Sequence, residues 1–412
     1  MKNIQDKEMK KHISYRIGLL TCGLLWLVSA CSKVDYTRMD DPAYLRVFNN
    51  FNYALNMEEK DNKVPFLCMI INPDLDAAGK PVGGEIIGDF LNVREPYAPP
   101  YPSHIGSSTS ASNPEYPGKE NVLVGPILNG FDLSSWAQVP AGKIHIMFMY
   151  RPKNEVPYFK LESRLQGDVM LDTVLQLESK EVYTLHLLQR DFKTKKNGMV
   201  LRKENFHKLS LSDSLLYVNF YNYSAEGFWQ ADASLKPSSN LTTLFQQGIR
   251  DKMDVFLTLY KDQEDAATNM DFYFDYLPGY KGKYLTSLVR NSQSDAVSPY
   301  LSFPLWANAS DDGIRTKVWQ RFDFFTPGMD PSTNPFGRND LDTKSNWAAL
   351  NCLLNGKVAA SRDNGATLPN MIVNIHSGMN NPQSFATVNT IEVVNGAVYL
   401  TTIQRKYPSP IY

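Results

Sequence analysis

The feature that most constrains the fold is an alternation of apolar and polar residues with a period of two, which recurs along the whole chain. In residues 143–150, Ile144, Ile146, Phe148 and Tyr150 fall on one face of an extended strand. Similar runs occupy residues 44–48, 64–71, 182–188, 216–221, 255–260, 318–325, 371–375 and 398–403. Long apolar stripes at helical spacing do not accompany them. The pattern therefore predicts an all-β chain built from β-sandwiches.

Two Asn-Gly pairs mark predicted hairpins. Asn197-Gly198 and Asn395-Gly396 each separate two strand-like runs, and this dipeptide favours the positive φ angles of type I′ turns. Frequent Gly and Pro elsewhere agree with many short connections. The segments that best resemble short helices are residues 246–251 and 347–354.

A faint internal repeat suggests two copies of one architecture. Phe48-Asn49-Asn50-Phe51 matches Phe220-Tyr221-Asn222-Tyr223, and the strand patterns at 173–183 and 390–399 match in the same order. A length of 412 residues also suits two or three domains. We therefore predict two immunoglobulin-like β-sandwich domains in tandem, with long loop insertions, at residues 43–210 and 211–412.

The N-terminus has the pattern of a lipoprotein signal peptide. Five basic residues precede an apolar segment at 17–28, which at 12 residues is too short to span a bilayer. Val28-Ser29-Ala30-Cys31 then resembles the lipobox of bacterial lipoproteins, which predicts cleavage after residue 30 and a diacylglycerol on Cys31. Residues 31–42 are polar and are predicted to be a tether. These features predict an outer-membrane lipoprotein exposed at the cell surface, although a periplasmic orientation stays open.

Several strand and turn patterns resemble a known family. They are Tyr44-Leu45-Arg46-Val47-Phe48-Asn49, Val139-Pro140-Ala141-Gly142-Lys143 and Val182-Tyr183-Thr184-Leu185. They are similar to the immunoglobulin-like modules catalogued as domain of unknown function 4397, found in bacterial envelope lipoproteins. The resemblance covers parts of residues 43–192 and, more faintly, 215–403, and both copies are longer than the usual module. It implies a β-sandwich and an envelope location, and no particular chemistry.

Catalytic and metal-binding signals are sparse. The sequence lacks the common zinc-protease, serine-hydrolase and phosphate-loop motifs, and its mature histidines are isolated. Asp271 and Asp275 would lie about 13 Å apart on a strand, too far for a glycosidase pair. The acidic segments 72–76 and 339–342 resemble Asx turns more than calcium loops. We therefore expect no enzyme activity, no metal and no cofactor.

The cysteines and the net charge indicate whether the chain forms a disulfide and which classes of partner it can bind. Cys68 and Cys352 are the cysteines left in the mature chain, and apolar neighbours favour two separate buried thiols over a disulfide between the domains. The net charge of −1 offers no basic surface for nucleic acid. The membrane, reached through the lipid on Cys31, is the one partner that the sequence indicates directly.

Aromatic residues supply the candidate ligand-binding surface. The Pro- and Ser-rich segment 94–118 has no apolar periodicity and is predicted to be a long insertion on the first sandwich. Exposed aromatic rings can stack on sugars, and the candidates for this role are Tyr97, Tyr101, Tyr116, Trp136 and Trp229. The sequence thus favours a non-catalytic surface glycan-binding component of a nutrient-uptake system. The alternative is a structural or assembly protein that binds other envelope proteins. The partners that these two hypotheses imply are polysaccharide and other envelope proteins, respectively.

Overall fold

The computed structural model describes residues 39–51, 66–94, 101–102, 122–154, 156–212, 214–236, 251–260, 277–305, 319–328, 347–353, 365–369, 371, 375–376, 383–384 and 387–405. The predicted signal peptide, Cys31 and nearly all of the tether lie outside these ranges. Residues from Met39 to Tyr412 belong to one compact unit. The division into domains at residue 210 stays a prediction.

The described part of the chain is all-β, as the alternation predicts. Its strands are β1 (Ala43–Asn49), β2 (Leu67–Leu75), β3 (Pro81–Leu91), β4 (Ile127–Leu128), β5 (Phe131–Asp132), β6 (Ala137–Val139), β7 (Gly142–Tyr150), β8 (Val169–Leu177), β9 (Val182–Asp191), β10 (Lys196–Glu204), β11 (Leu215–Asn222), β12 (Lys252–Tyr260), β13 (Lys283–Val289), β14 (Leu301–Pro304), β15 (Trp319–Phe325), β16 (Trp347–Leu353), β17 (Gly365–Pro369), β18 (Ile375–His376), β19 (Gln383–Ser384), β20 (Val388–Val394) and β21 (Ala397–Ile403). Short 3-10 helices occupy Tyr158–Lys160, Phe206–Lys208 and Ala233–Leu235.

Four large sheets carry most of these strands. Sheet A has the strand order β10-β9-β1-β6 and sheet B the order β3-β2-β7-β8. Sheet C has the order β14-β11-β20-β21 and sheet D the order β13-β12-β15-β16-β17. Two further ladders, β4-β5 and β18-β19, have two strands each.

Each sandwich has its own apolar core. Leu45, Val47 and Leu185 of sheet A pack with Met69 and Phe148 of sheet B. In the second sandwich, the inward residues of sheet C pack with those of sheet D, including Val218, Phe220, Val255, Phe322 and Ile391. The alternating residues of each strand therefore enclose a core between two sheets, as period-two patterning requires.

Sheets A and C also pack on one another through the faces that point away from these cores. Leu188 and Val200 of sheet A share one apolar cluster with Tyr221, Val394 and Tyr399 of sheet C. A second cluster joins the other end of the interface, with Tyr44, Trp136, Val182, Val388 and Ile403. Consequently all seven residues of β1 are buried, including those that its pattern assigns to the solvent side.

The two sheets at this interface share one topology. In sheet A, β1 pairs in parallel with β9, which forms a hairpin with β10; in sheet C, β11 pairs in parallel with β20, which forms a hairpin with β21. Asn49 and Asn222 end the first strand of each copy, and their side-chain oxygens accept hydrogen bonds from Phe51 N and Ser224 N. The two copies therefore share a sheet topology in which Asn49 corresponds to Asn222, one residue away from the register of the sequence match.

One predicted hairpin turn is correct and the other is displaced. Asn395 and Gly396 both have positive φ angles, 49° and 82°, and connect β20 to β21. Asn197 and Gly198 instead lie in β10, and the chain turns before them, where Lys195 has φ 59°. A Cβ at Gly198 would lie 2.4 Å from Nε of Arg190, so a larger residue there would require the Arg190 side chain to move.

The helix prediction at 347–354 is wrong. Residues Trp347–Leu353 form β16, which pairs antiparallel with β15 and parallel with β17. Pairing on both sides outweighs the local helical tendency of this Ala- and Leu-containing segment. The other predicted helix lies outside the described residues except for Asp251, which sits in a bend before β12.

Arg151, just after β7, organises the connection that follows it. Its side chain is fully buried, with the guanidinium carbon 4.5 Å from the ring centre of Phe90. It donates hydrogen bonds to the Asp89 carboxylate at 2.8 Å, and to the carbonyls of Asn154 and Val156 at 3.1 and 2.5 Å. The planar guanidinium of Arg151 thus supplies hydrogen-bond donors to two backbone carbonyl oxygens of this loop.

We expect Arg151→Lys to lower the free energy of unfolding by about 2 kcal/mol, because an ammonium cannot reproduce the forked set of donors. Urea unfolding measures this change. Arg164→Lys is the control, since Arg164 is 71% exposed in its pair with Glu162. Equal stability of the two variants would contradict the assigned role.

Candidate functional site

The densest group of charged side chains lies in the interface between sheets A and C. It contains three arginines, two glutamates and one histidine: Arg46 from β1, Arg94 just after β3, His186 from β9, Arg202 and Glu204 from β10, and Glu392 from β20. All six are at most 5% exposed. We call this group the interface cluster.

Glu392 joins the two sheets within the interface cluster. Its Oε1 accepts a hydrogen bond from Nη1 of Arg202 at 2.9 Å, and its Oε2 accepts one from Nη1 of Arg94. Nε2 of His186 lies 3.2 Å from Oε1. Burial alone would raise the pKa of Glu392, but His186, Arg94 and Arg202 together hold that pKa well below its usual range.

Glu204 is the second carboxylate of the interface cluster, and it contacts residues of sheet A. Its Oε1 lies 2.9 Å from both Nε and Nη2 of Arg202, and it accepts the hydroxyl proton of Thr184 at 2.7 Å. Arg46 donates from Nη2 to Thr184 Oγ1 at 3.1 Å and lies 3.8 Å from Glu204. Burial lowers the pKa of Arg46 to about 9, against the opposing effect of Glu204 and Glu392.

Aromatic rings surround the three guanidinium groups. The guanidinium carbon lies 4.0 Å from the ring centre of Trp136 for Arg46 and 3.6 Å from Phe48 for Arg94. Arg202 lies 4.1 Å from Tyr221 in the same way. Such contacts stabilise buried cations without adding negative charge. They also keep the rings and guanidinium planes in fixed orientations across the interface.

The interface cluster has the chemistry of a structural network. Catalysis requires groups that a substrate can reach, whereas these side chains are buried and mostly contact one another. His186 is neutral near pH 7, since burial lowers its pKa to about 4. What the arrangement can do is hold sheets A and C in one relative orientation.

The sequence did not single out the interface cluster, although a signal was present. Arg46 lies between apolar residues in β1, and Glu392 does the same in β20. A charge in the middle of such a strand is usually solvated when its sheet faces water on one side. It was only the packing of sheet A on sheet C that buried these charges.

The predicted ligand-binding aromatics are not brought together. Tyr101 and Trp136 are 3% and 1% exposed and belong to apolar cores. Neither presents a ring face to solvent, so the stacking role predicted for them does not fit their positions. Trp229 is half-buried and packs edge-on against Phe228 at 4.9 Å. Tyr97, Tyr116 and the lipidation candidate Cys31 lie outside the described residues.

Other sequence candidates have ordinary structural roles where they are described. Oδ1 of Asp76 accepts hydrogen bonds from the backbone nitrogens of Ala78 and Lys80, the expected Asx turn. Cys68 is a buried thiol in β2, and the side chain of Cys352 is not described. Asp271, Asp275 and residues 339–342 lie outside the described ranges. Within those ranges, no three His, Cys, Asp or Glu residues are placed to share a metal ion.

β3 lies at an edge of sheet B, and its exposed part is residues 82–87, because Gly88, Phe90 and Leu91 are buried and the Asp89 carbonyl accepts a hydrogen bond from Arg151. This 11-residue strand pairs with β2, and among the described residues no strand pairs with its other side. Val82 is 60% exposed, Ile86 and Ile87 are half-buried, and the strand contains no lysine. Natural edge strands are commonly shortened or carry Lys to prevent pairing with other chains. β3 lacks both of these protections.

No protein-family model matches the sequence, and a search of curated proteins finds no match. None of the helices in the described ranges has the length and apolarity needed to cross a bilayer.

Proposed function

We propose that this chain is a non-catalytic, lipid-anchored protein of the bacterial outer membrane, and that it binds another envelope protein by strand addition at β3. The lipobox at Val28 to Cys31 supports the anchor, and the resemblance to immunoglobulin-like envelope modules agrees with it. The exposed edge of β3 is the observation that carries the binding role. An added strand gains backbone hydrogen bonds there, and alternate apolar side chains supply specificity.

The packing of the two sandwiches suits this role. Strand addition works best on a rigid edge, because ordering a flexible one opposes binding. Sheet B is held to sheet A by an apolar core, and sheet A to sheet C by the interface cluster. The partner segment should be extended and apolar at alternate positions, to match Val82 and Ile86 along the edge.

Site-specific photocrosslinking in intact cells tests the proposal. A photoreactive residue at position 82 should trap one specific protein partner. The same residue at Val174 is the matched control, because Val174 is 50% exposed on β8, the opposite edge strand of the same sheet. Equal adducts from both positions, or no protein adduct at 82, would reject β3 as the binding edge.

Glycan binding for nutrient uptake is the second candidate function. Trp229, Tyr97 and Tyr116 are the residues that would stack on the sugar rings. Trp229 is half-buried and packs, as Tyr280 and Leu277 do, against the core of the second sandwich. Calorimetry with a panel of polysaccharides tests this role, comparing the chain with Trp229→Ala. Binding that Trp229→Ala weakens would favour this candidate, and no binding across the panel would remove it.

A further inference from the structure

The interface cluster carries more positive than negative charge. Three guanidinium groups face two carboxylates, Glu204 and Glu392, and the buried His186 is neutral near pH 7. The described side chains therefore leave an excess of one positive charge inside the protein. An unpaired buried cation costs several kcal/mol even after the surroundings relax. Folded proteins balance such charges with a partner.

The excess charge is concentrated on Arg46. Glu392 is shared between Arg94 and Arg202, and Glu204 contacts Arg202 at 2.9 Å but Arg46 only at 3.8 Å. Among the described residues, Arg46 makes one hydrogen bond, to the neutral hydroxyl of Thr184. That hydroxyl in turn donates a hydrogen bond to Glu204, and Arg46 makes no direct hydrogen bond to a carboxylate of the described residues.

Unpartnered hydrogen-bond donors occur in the same region. Nε of Arg46 and Nε1 of Trp136 are buried and have no hydrogen-bond partner, although the guanidinium carbon lies 4.0 Å from the Trp136 ring centre. Buried polar groups of native proteins normally have a partner, which can be an ordered water or an ion.

The geometry points to a binding site for a small monovalent inorganic anion, of halide size, beside Arg46 between sheets A and C, with Trp136 as a neighbouring donor. Water would satisfy the hydrogen bonds but not the charge, whereas one monovalent anion satisfies both. Guanidinium and indole N–H groups only donate, which suits an acceptor-only ligand. The site is independent of the strand-addition role of β3, and it would stabilise the pairing of the two sandwiches.

Bromide is the probe for the test, because it replaces chloride and scatters anomalously. Crystals of the full chain grown with sodium bromide should show an anomalous peak within hydrogen-bonding distance of the Arg46 guanidinium. Thermal unfolding should also depend on the anion. At equal ionic strength, bromide should raise the Tm by about 2–4 °C over sodium isethionate, whose anion is an organic sulfonate much larger than a halide.

Arg46→Met should abolish this difference in Tm, and Arg164→Met should retain it, because Arg164 is exposed and remote from the interface cluster. An anomalous map without a peak beside Arg46 would overturn the inference. An equal bromide response in Arg46→Met and Arg164→Met would do the same, since it would reflect a general salt effect. If Arg46→Met does not fold, the anomalous map of the unmodified chain tests by itself whether an anion binds beside Arg46.

Discussion

Glu392→Gln should lower the free energy of unfolding by about 3–5 kcal/mol, the largest single effect that we expect in this protein. Glu392 is fully buried and pairs with Arg94 and Arg202 from the other side of the interface. Replacing its carboxylate by an amide keeps the shape but leaves both guanidinium groups short of negative charge. Chemical denaturation monitored by tryptophan fluorescence measures the loss.

Two further variants make this result specific. Glu162→Gln is the surface control, because Glu162 is 68% exposed in its pair with Arg164 and should change stability by less than about 0.5 kcal/mol. The double variant Glu392→Gln with Arg94→Met should recover part of the loss, since it removes one unpaired cation together with its anion. A loss no larger than that of Glu162→Gln would show that Glu392 does not hold the interface together.

Acidification should destabilise the protein by about 3 kcal/mol between pH 6.5 and pH 4 through His186 alone. Burial, the largest cause, lowers the pKa of this imidazole from 6.5 to about 4 in the folded state, and Arg202 and Arg94 lower it further against the opposing pull of Glu392. A histidine with a lowered pKa contributes stability that is fully present above pH 6.5 and is lost as the pH falls to 4. Below that range, protonation of Glu392 continues the loss, because its pKa is also lowered.

Urea unfolding at pH 7, 5.5 and 4 measures this dependence. His186→Gln should be less stable than the unmodified chain at pH 7, yet its stability should fall less between pH 6.5 and 4. His145→Gln is the matched control, since His145 lies on the outer face of sheet B, where it contacts Asp172 at 2.5 Å with 31% of its side chain exposed. If His186→Gln lost as much stability over this pH range as the unmodified chain, another group would be responsible.

The position of His186 explains why the pH effect belongs to the interface. Its Nδ1 lies 3.0 Å from the Asn50 amide oxygen, and its ring packs against Phe48 at 5.2 Å and Tyr223 at 5.0 Å. A proton added here would place a further positive charge among three arginines. We therefore expect acid to weaken the contact between sheets A and C before it affects the two apolar cores.

The sequence by itself determined the fold class and most of the strands of this protein. Period-two alternation is a local property, and it correctly predicted β1, β7, β9, β11, β20 and β21 as well as the turn at Asn395-Gly396. The local pattern wrongly predicted a helix at Trp347–Leu353, because pairing with β15 and β17 makes this segment a strand. It also misplaced the turn before β10, because Gly198 lies within the strand, where the Arg190 side chain packs close to it.

Only the tertiary structure decided which polar residues become buried in the interface between sheets A and C. Alternation assigns Arg46, His186 and Glu392 to the faces away from the sandwich cores, and nothing local reveals that sheet C covers that face of sheet A. The same packing buries Trp136, which the sequence placed among exposed aromatics. Burial is set by contacts between residues as far apart as Arg202 and Glu392, 190 positions along the chain, so the interface cluster arises only when both sandwiches are assembled.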